Sequence, residues 1–343
     1  MTLLEIDDLR VRFGTAEGPV LAINGLSLAL AEDEVVALVG ESGCGKTLTG
    51  LSVLGLEPPG ARVDGRIWFR GQDLRTAPAK RLRSVRGGEI AMIFQEPMTS
   101  LNPAFSVGRQ VAEALRQHRK VSGRQARDRV MELFELVRMP DPRQHLHQYP
   151  HQLSGGMQQR VMIAMAIACE PAVLIADEPT TALDPTIQAQ ILDLLADLRS
   201  RLHMAVLLIT HNLGVVADIA DRVVVMYAGH KAEEAPAGEL LRSPEHPYTV
   251  GLLNAVPQPG MHRGTHPLTP ITGLVPVLRQ PPEGCVFGPR CPLVTEQCQR
   301  EPPQPREVAP GHLAACFRPG ELSPGAGGAE DRGRPAAAGQ GPA

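Results

Sequence analysis

The sequence predicts an α/β fold: a mixed-sheet core with an antiparallel β subdomain, a helical insertion and a small cysteine-bearing C-terminal extension. Three observations lead there. Over residues 1–30 apolar and polar positions alternate, at Leu4, Ile6, Leu9, Val11 and Phe13, then at Leu21, Ile23, Leu26, Leu28 and Leu30. That is the period of antiparallel strands. Short apolar runs at Val35 to Val39, Val173 to Ala176, Ala205 to Ile209 and Val223 to Met226 alternate with helical stretches, as in a parallel sheet covered on both faces. A mainly helical block from about 96 to 165 interrupts the series and reads as the insertion.

Between these landmarks, Val63 to Phe69, containing Gly65, reads as a short strand pair. Val107 to Arg138 has helical spacing at Val111, Leu115, Val130, Leu133, Phe134 and Val137. Met157 to Cys169 and Thr186 to Leu202 read as further helices. After about residue 256 proline and glycine increase and periodicity fades. The expected organisation is a domain over 1–255, an extension over 256–318 and a Gly-, Pro- and Ala-rich tail over 319–343 that is disordered.

Hydrophobic residues make up 43% of the 343, enough for a substantial core. A net charge of −3 and only 3% aromatic residues argue against a nucleic-acid partner. The start, MTLLEIDDLRVRF, is acidic and alternating, unlike a signal peptide. The longest apolar run, Val161 to Cys169, is far short of a membrane span. The expected location is therefore cytosolic, with any membrane contact made through a partner. Cys44 and Cys169 are isolated, whereas Cys285, Cys291, Cys298 and Cys316 cluster near the C-terminal end, a pattern pointing to metal before disulfide.

Three motifs carry chemistry. Gly40 to Thr47 reads GESGCGKT, a G-x-x-x-x-G-K-[ST] loop between a buried strand and a helix. The backbone of Gly40, Glu41, Ser42, Gly43, Cys44 and Gly45 would cradle phosphates, Lys46 would reach the β- and γ-phosphates, and Thr47 would hold Mg²⁺. Cys44, near a helix N-terminus, is expected either to be a reactive thiol of lowered pKa, protected by ATP, or a passive small residue. VLIADEP ends a buried strand in two acids: Asp177 for Mg²⁺, and Glu178 for the attacking water. LSGGMQQR presents Ser154, Gly155 and Gly156 ahead of a helix as a second phosphate site.

LSGGMQQR resembles the signature of ABC ATPases, and the resemblance covers roughly residues 1–255. It implies a P-loop NTPase of ABC type that hydrolyses ATP with Mg²⁺. Gln95, in MIFQEPMTSLNP, would sense Mg²⁺ and the γ-phosphate. TALD, Thr181 to Asp184, would line the dimer seam, and His211, in LLITHN, would contact the γ-phosphate. Phe13 would stack on adenine, or is simply a strand core residue. Ser154, Gly155, Gly156 and Gln158 would meet the nucleotide of a second ABC ATPase subunit, identical or related. His145, His147 and His151 precede the signature and are not expected to hold metal.

EPMTSLNP, HPYTVGLL at 246–253 and GCVFGPRCPLVTEQC followed by Cys316 resemble the ATP-binding subunits of dipeptide, oligopeptide and nickel importers. The resemblance implies peptide import at the cytoplasmic face of the membrane, with two permease subunits and an extracytoplasmic solute-binding protein. It also implies a 4Fe–4S cluster on Cys285, Cys291, Cys298 and Cys316, with zinc or a metal-free thiol group as alternatives. Competing functions are a nickel or other small-solute importer ATPase, and a soluble ABC ATPase of translation or DNA repair. The single cassette and the absence of long heptads count against the soluble kind.

Overall fold

A computed structural model describes residues 2–95, 100–181, 183–255 and 271–323. Residues 96–99 of EPMTSLNP, Ala182 of TALD, residues 256–270, and 324–343 of the tail expected to be disordered lie outside the described residues.

The alternating N-terminal pattern folds as β1 (Thr2–Thr15) and β2 (Gly18–Ala31), paired antiparallel. Leu4, Ile6, Leu9 and Val11 face inward and are buried. Across β1 lies β4 (Ala61–Phe69), followed by the two-residue β5 (Gln72–Asp73), giving the order β2-β1-β4-β5. Val63 to Phe69 is therefore one strand and not a pair. Gly65 sits where the β1–β4 register shifts between Asp7 and Arg10, and a Cβ there would lie 2.5 Å from the Asp8 carbonyl oxygen. The glycine marks a bulge, not a turn.

The main sheet has eight strands. β3 (Val35–Val39), β6 (Ile90–Ile93), β7 (Val173–Asp177), β8 (Ala205–Thr210) and β9 (Arg222–Tyr227) run parallel in the order β9-β3-β8-β7-β6. Every residue of β3, β7 and β8 is buried, as the apolar runs require of strands covered on both faces. Beyond β9 the sheet continues antiparallel through β10 (His230–Pro236), β12 (His312–Ala314) and β11 (Arg306–Ala309).

Helix α1 (Lys46–Leu54) follows β3, and α2 (Ala79–Val85) precedes β6. The inserted block contains α3 (Val107–His118), α4 (Gly123–Leu136), α5 (Pro142–His145) and α6 (Gly155–Ile167). The helical stretch expected over 107–138 is thus two helices. Ser122 breaks it: its hydroxyl accepts from the Gln125 N–H while the Gln125 side chain accepts from the Ser122 N–H, a reciprocal cap. Then follow α7 (Pro185–Leu202), α8 (Leu213–Ile219), α9 (Ala237–Arg242), α10 (Pro247–Asn254) and α11 (Glu296–Arg300).

Three apolar cores hold these layers. One packs the insertion and α7 on the parallel sheet, through residues such as Phe134, Ile163 and Leu195. A second lies between the two sheets, around Ile6, Leu38, Ile67 and Ile175. The third joins β9, α10 and the extension through Tyr227, Tyr248 and Phe287.

Glu233 of β10 is completely buried and ties the extension down. It accepts from the N–H groups of Glu245 at 2.7 Å and His246 at 3.0 Å, and from Nε2 of buried His312 on β12 at 2.7 Å. The bond to Glu233 raises the His312 pKa. His312→Ala leaves this carboxylate without its cation and is expected to cost about 3 kcal/mol near neutral pH. The charged pair is complete below the histidine's ordinary 6.5 and weakens as pH rises through the raised value in the fold. The cost should therefore shrink toward alkaline pH. Urea unfolding of both proteins across that range checks this, and a cost that grows with pH contradicts the pairing.

Candidate functional site

The loop after β3 is held tight by two close approaches. A Cβ on Gly40 would lie 2.2 Å from the Met226 carbonyl oxygen, and one on Gly45, at φ 104°, would lie 2.8 Å from the Ala22 oxygen. Only glycine fits at either place. Helix α1 begins directly afterwards with no side-chain cap, the arrangement by which a helix N-terminus takes an anion. Buried Lys46 donates from Nζ to the carbonyl oxygens of Gly40 at 2.8 Å and Glu41 at 3.0 Å. Ser42, Gly43 and Thr47 are exposed.

Of the two readings of Cys44, a reactive thiol or a passive small residue, the structure favours the second. Its side chain is wholly buried beneath the loop, and a Cβ on Gly40 would lie 2.9 Å from its Sγ. Burial raises its pKa, outweighing the charge of Lys46, so the group is a protonated thiol that fills space.

The acids at the end of β7 occupy contrasting surroundings. Asp177 is buried, and Thr47 Oγ1 donates to its Oδ1 at 3.2 Å. Burial pushes its pKa up to about 6. Glu178 is a non-glycine residue at φ 45°, a strained conformation retained where surrounding contacts over-determine it. Those contacts converge from three segments. Gln95 Nε2 donates to Oε2 at 2.9 Å, the Thr181 hydroxyl donates to the same oxygen at 2.8 Å, and His211 Nδ1 lies 3.0 Å from Oε1. Burial works to raise the Glu178 pKa, but the bonds from His211 and Thr181 outweigh it and the pKa is lowered.

Ser154, the N-cap of α6, and Gly155, its first residue, lie at the surface, with Gly156 half-buried against Ile187 of α7. Ser154 Oγ caps the helix by accepting from the Met157 N–H at 3.4 Å. Gln158 is placed differently from the glycines. Its side chain is buried and Nε2 donates to the carbonyl oxygens of Pro150 at 2.9 Å and Leu153 at 3.2 Å, bracing the loop from within. Phe13 is half-buried against the core between the sheets.

Cys285, Cys291, Cys298 and Cys316 line one pocket with His246 and Phe317. Two of the sulfurs accept from backbone donors, the Leu293 N–H at 3.4 Å from Cys291 and the Arg318 N–H at 3.3 Å from Cys316, and the Thr295 hydroxyl lies 3.2 Å from the Cys298 sulfur. Burial, aided by the neighbouring thiols, pushes Cys291 up to about 11. Among the described residues no group of three or more His, Cys, Asp or Glu is disposed to hold a metal ion.

Residues 23–181 match the ABC transporter family, and residues 232–298 match the oligopeptide/dipeptide transporter C-terminal region. The chain is 50% identical over 317 residues to the dipeptide transport ATP-binding protein DppD of Bacillus subtilis, covering 92% of this chain and 94% of that one. It is 47% identical over 319 residues to the oligopeptide transport ATP-binding protein OppD of Salmonella typhimurium, covering 93% and 94%. The chain belongs to the ABC transporter ATP-binding proteins. Among solved structures, the dimeric post-hydrolysis state of the ATP-binding cassette MJ0796 with ADP and Pi is similar at TM-score 0.62 and 26% identity, over 68% of this chain and 99% of that one.

In this ABC ATPase, the sequence places Thr181 in the TALD motif without giving it a contact. Its hydroxyl three residues after Glu178 was the available signal. Thr181→Val removes a bond to a charged carboxylate, an effect of about 1.5 kcal/mol, or roughly one pKa unit. The Glu178 pKa should rise accordingly, moving the acidic limb of the ATP turnover profile up by about one unit. An unmoved limb would show that Glu178 does not govern it.

Proposed function

We propose that this ABC ATPase is the motor subunit of a dipeptide or oligopeptide importer. It works at the cytoplasmic face of the membrane with a second ABC ATPase subunit, two permease subunits and an extracytoplasmic solute-binding protein. Residues 1–255 form the cassette, with the helical insertion at about 96–165, and 256–318 form the extension. The relatives' names support the substrate class. Among the described residues no helix is long and apolar enough to cross a membrane.

The single observation that carries the hydrolytic assignment is Glu178. It is a strained, depressed-pKa carboxylate receiving donors from three separate segments, beside a phosphate-binding loop. Glu178 takes a proton from the attacking water, and Gln95 and His211 fix the orientation of its two oxygens. Lys46 binds the β- and γ-phosphates with the N–H groups of residues 40–45. Thr47 and Asp177, with Gln95, are the hard oxygen donors suited to Mg²⁺, which when bound offsets phosphate charge. Exposed Ser154 and Gly155, with half-buried Gly156, bind the nucleotide of the partner subunit, and Gln158 holds their loop in shape.

The junction of core and insertion offers a groove for a permease helix. Exposed Leu56 and Phe94 line it with Leu101, Met162 and Met165. Cys285, Cys291, Cys298 and Cys316 are our candidate ligands for a 4Fe–4S cluster, with zinc as the alternative metal. They share one pocket, and the Leu293 and Arg318 N–H groups donate to two of the sulfurs. Such a cluster would supply a rigid cross-link within the extension. Iron and visible absorption in anaerobically purified protein support this, and their absence rejects it.

Glu178→Gln should retain ATP binding, lose about 100-fold or more in turnover, and accumulate a closed ATP-bound dimer. Turnover measurement with size-exclusion chromatography checks this, and wild-type turnover rejects Glu178 as the base. Uptake of labelled dipeptide, longer peptide and nickel by the complex purified with its membrane partners tests the substrate class. Nickel uptake without peptide uptake would overturn it.

A further inference from the structure

Arg290 lies in the extension, immediately before Cys291, yet it reaches the phosphate loop. Its Nη1 donates to Glu41 Oε2 at 2.7 Å and its Nη2 to Glu41 Oε1 at 2.9 Å, a two-pronged pair across 249 positions of sequence. Its other donors are engaged too. Nε donates to the Thr272 carbonyl oxygen at 2.8 Å and Nη2 to that of Ile271 at 3.2 Å. Its side chain is only 5% exposed, with the guanidinium 5.6 Å from the centre of the Tyr227 ring. Glu41 is gripped a second time through its backbone, whose N–H donates to the Tyr248 hydroxyl at 2.8 Å.

The grip is built on aromatic packing. Tyr227 of β9, Tyr248 of α10 and Phe287 of the cysteine loop form a mutual cluster with ring centroids 4.7 to 5.3 Å apart. Phe287 and Arg290 both lie between Cys285 and Cys291, on a loop with hydrogen bonds from Gly288 N–H to Cys285 O and from Arg290 N–H to Phe287 O. Moving this loop therefore moves the partner of Glu41. Left without that partner, the Glu41 carboxylate would add negative charge at the second residue of a loop that receives a triphosphate.

We propose that Arg290 is a positioning residue for nucleotide binding, acting through Glu41, and that it links the phosphate loop to the four-cysteine loop. This rests on the reading of residues 40–47 as the nucleotide site. Arg290 neutralises Glu41 and fixes the second residue of the cradle, so bound nucleotide and an ordered 285–291 loop stabilise each other. Such linkage is reciprocal: whatever loosens the cysteine loop weakens nucleotide binding, and nucleotide tightens the cysteine loop.

The test uses the full chain purified anaerobically, with Mg-ADP as probe. Isothermal titration gives the affinity of wild type, R290A, and R290A combined with E41Q. Losing a charge-assisted bond predicts a weakening of about 10- to 100-fold in R290A. Removing the exposed repulsion with E41Q should restore most of it, a rescue that a merely structural arginine would not show. Hydrogen exchange read by mass spectrometry should show amides of 285–291 protected by Mg-ADP in wild type but not in R290A. Equal affinity in wild type and R290A, or no rescue by E41Q, overturns the proposal. If R290A does not fold, exchange in wild type decides: slower exchange at 285–291 with Mg-ADP supports the link, and unchanged exchange overturns it. A wild-type chain that binds no Mg-ADP would instead overturn the nucleotide site itself.

Discussion

The site depends on the register of three parallel strands. Val39 lies opposite Thr210, and Asp177 lies opposite Ile209. The next residues along these strands, Gly40, Glu178 and His211, therefore emerge together at one edge of the sheet. Because both faces of β3, β7 and β8 are apolar, hydrophobic alternation alone cannot choose this register. Backbone contacts do. The Glu178 N–H donates to the Ile209 carbonyl oxygen at 2.8 Å, and Gly40 approaches the Met226 carbonyl oxygen closely enough to exclude any Cβ. A slip of one residue would break both contacts and separate the loop from the acids.

That register gives two adjacent acids opposite titration behaviour. Asp177 faces the interior with one hydroxyl for company, and burial raises it to about 6. Glu178 turns the other way through a left-handed backbone and meets three donors, of which His211 and Thr181 lower its pKa despite partial burial. A backbone in that region costs about 1–3 kcal/mol. The Ile209 bond and the Gln95, Thr181 and His211 contacts offset the cost, so the strain persists only while those segments are assembled. The geometry of the carboxylate thereby reports on the insertion side, through Gln95, and on the end of β8, through His211.

Features with a local cause were legible from the chain. The strands β1 and β2 alternate because one face is buried, and the 40–47 loop is marked by glycines where a carbonyl comes too near for a side chain. Features caused by distant partners were not legible. Strand β10 reads HKAEEAP, polar in composition, yet four consecutive residues are buried because His312 pairs with Glu233 while Arg222 and Lys231 pair with Glu234. Strand β6 is four residues long, too short for a period to declare itself. The choice between the two readings of Cys44 was not legible for a related reason. Its position in the motif implied an anion-facing thiol, but the tertiary environment places the sulfur beneath the loop, where burial rules its titration.

The extension is built into the cassette's sheet and core. Strands β12 and β11 complete the same sheet that carries the phosphate loop, and Phe287 enters the core shared by Tyr227 and Tyr248. Glu233 and Glu41 then serve as polar anchors for it, one answered by His312 and one by Arg290. They differ in consequence. The Glu233 anchor is sealed from solvent, so its loss is felt as stability. The Glu41 anchor sits on the rim of the loop with a partly exposed carboxylate, so its loss falls first on the charge and shape presented to phosphate. Among the contacts that bind the extension to the cassette, the Glu233 pair holds the fold and the Glu41 pair touches the chemistry, so the second is the one placed to carry information to the phosphate loop.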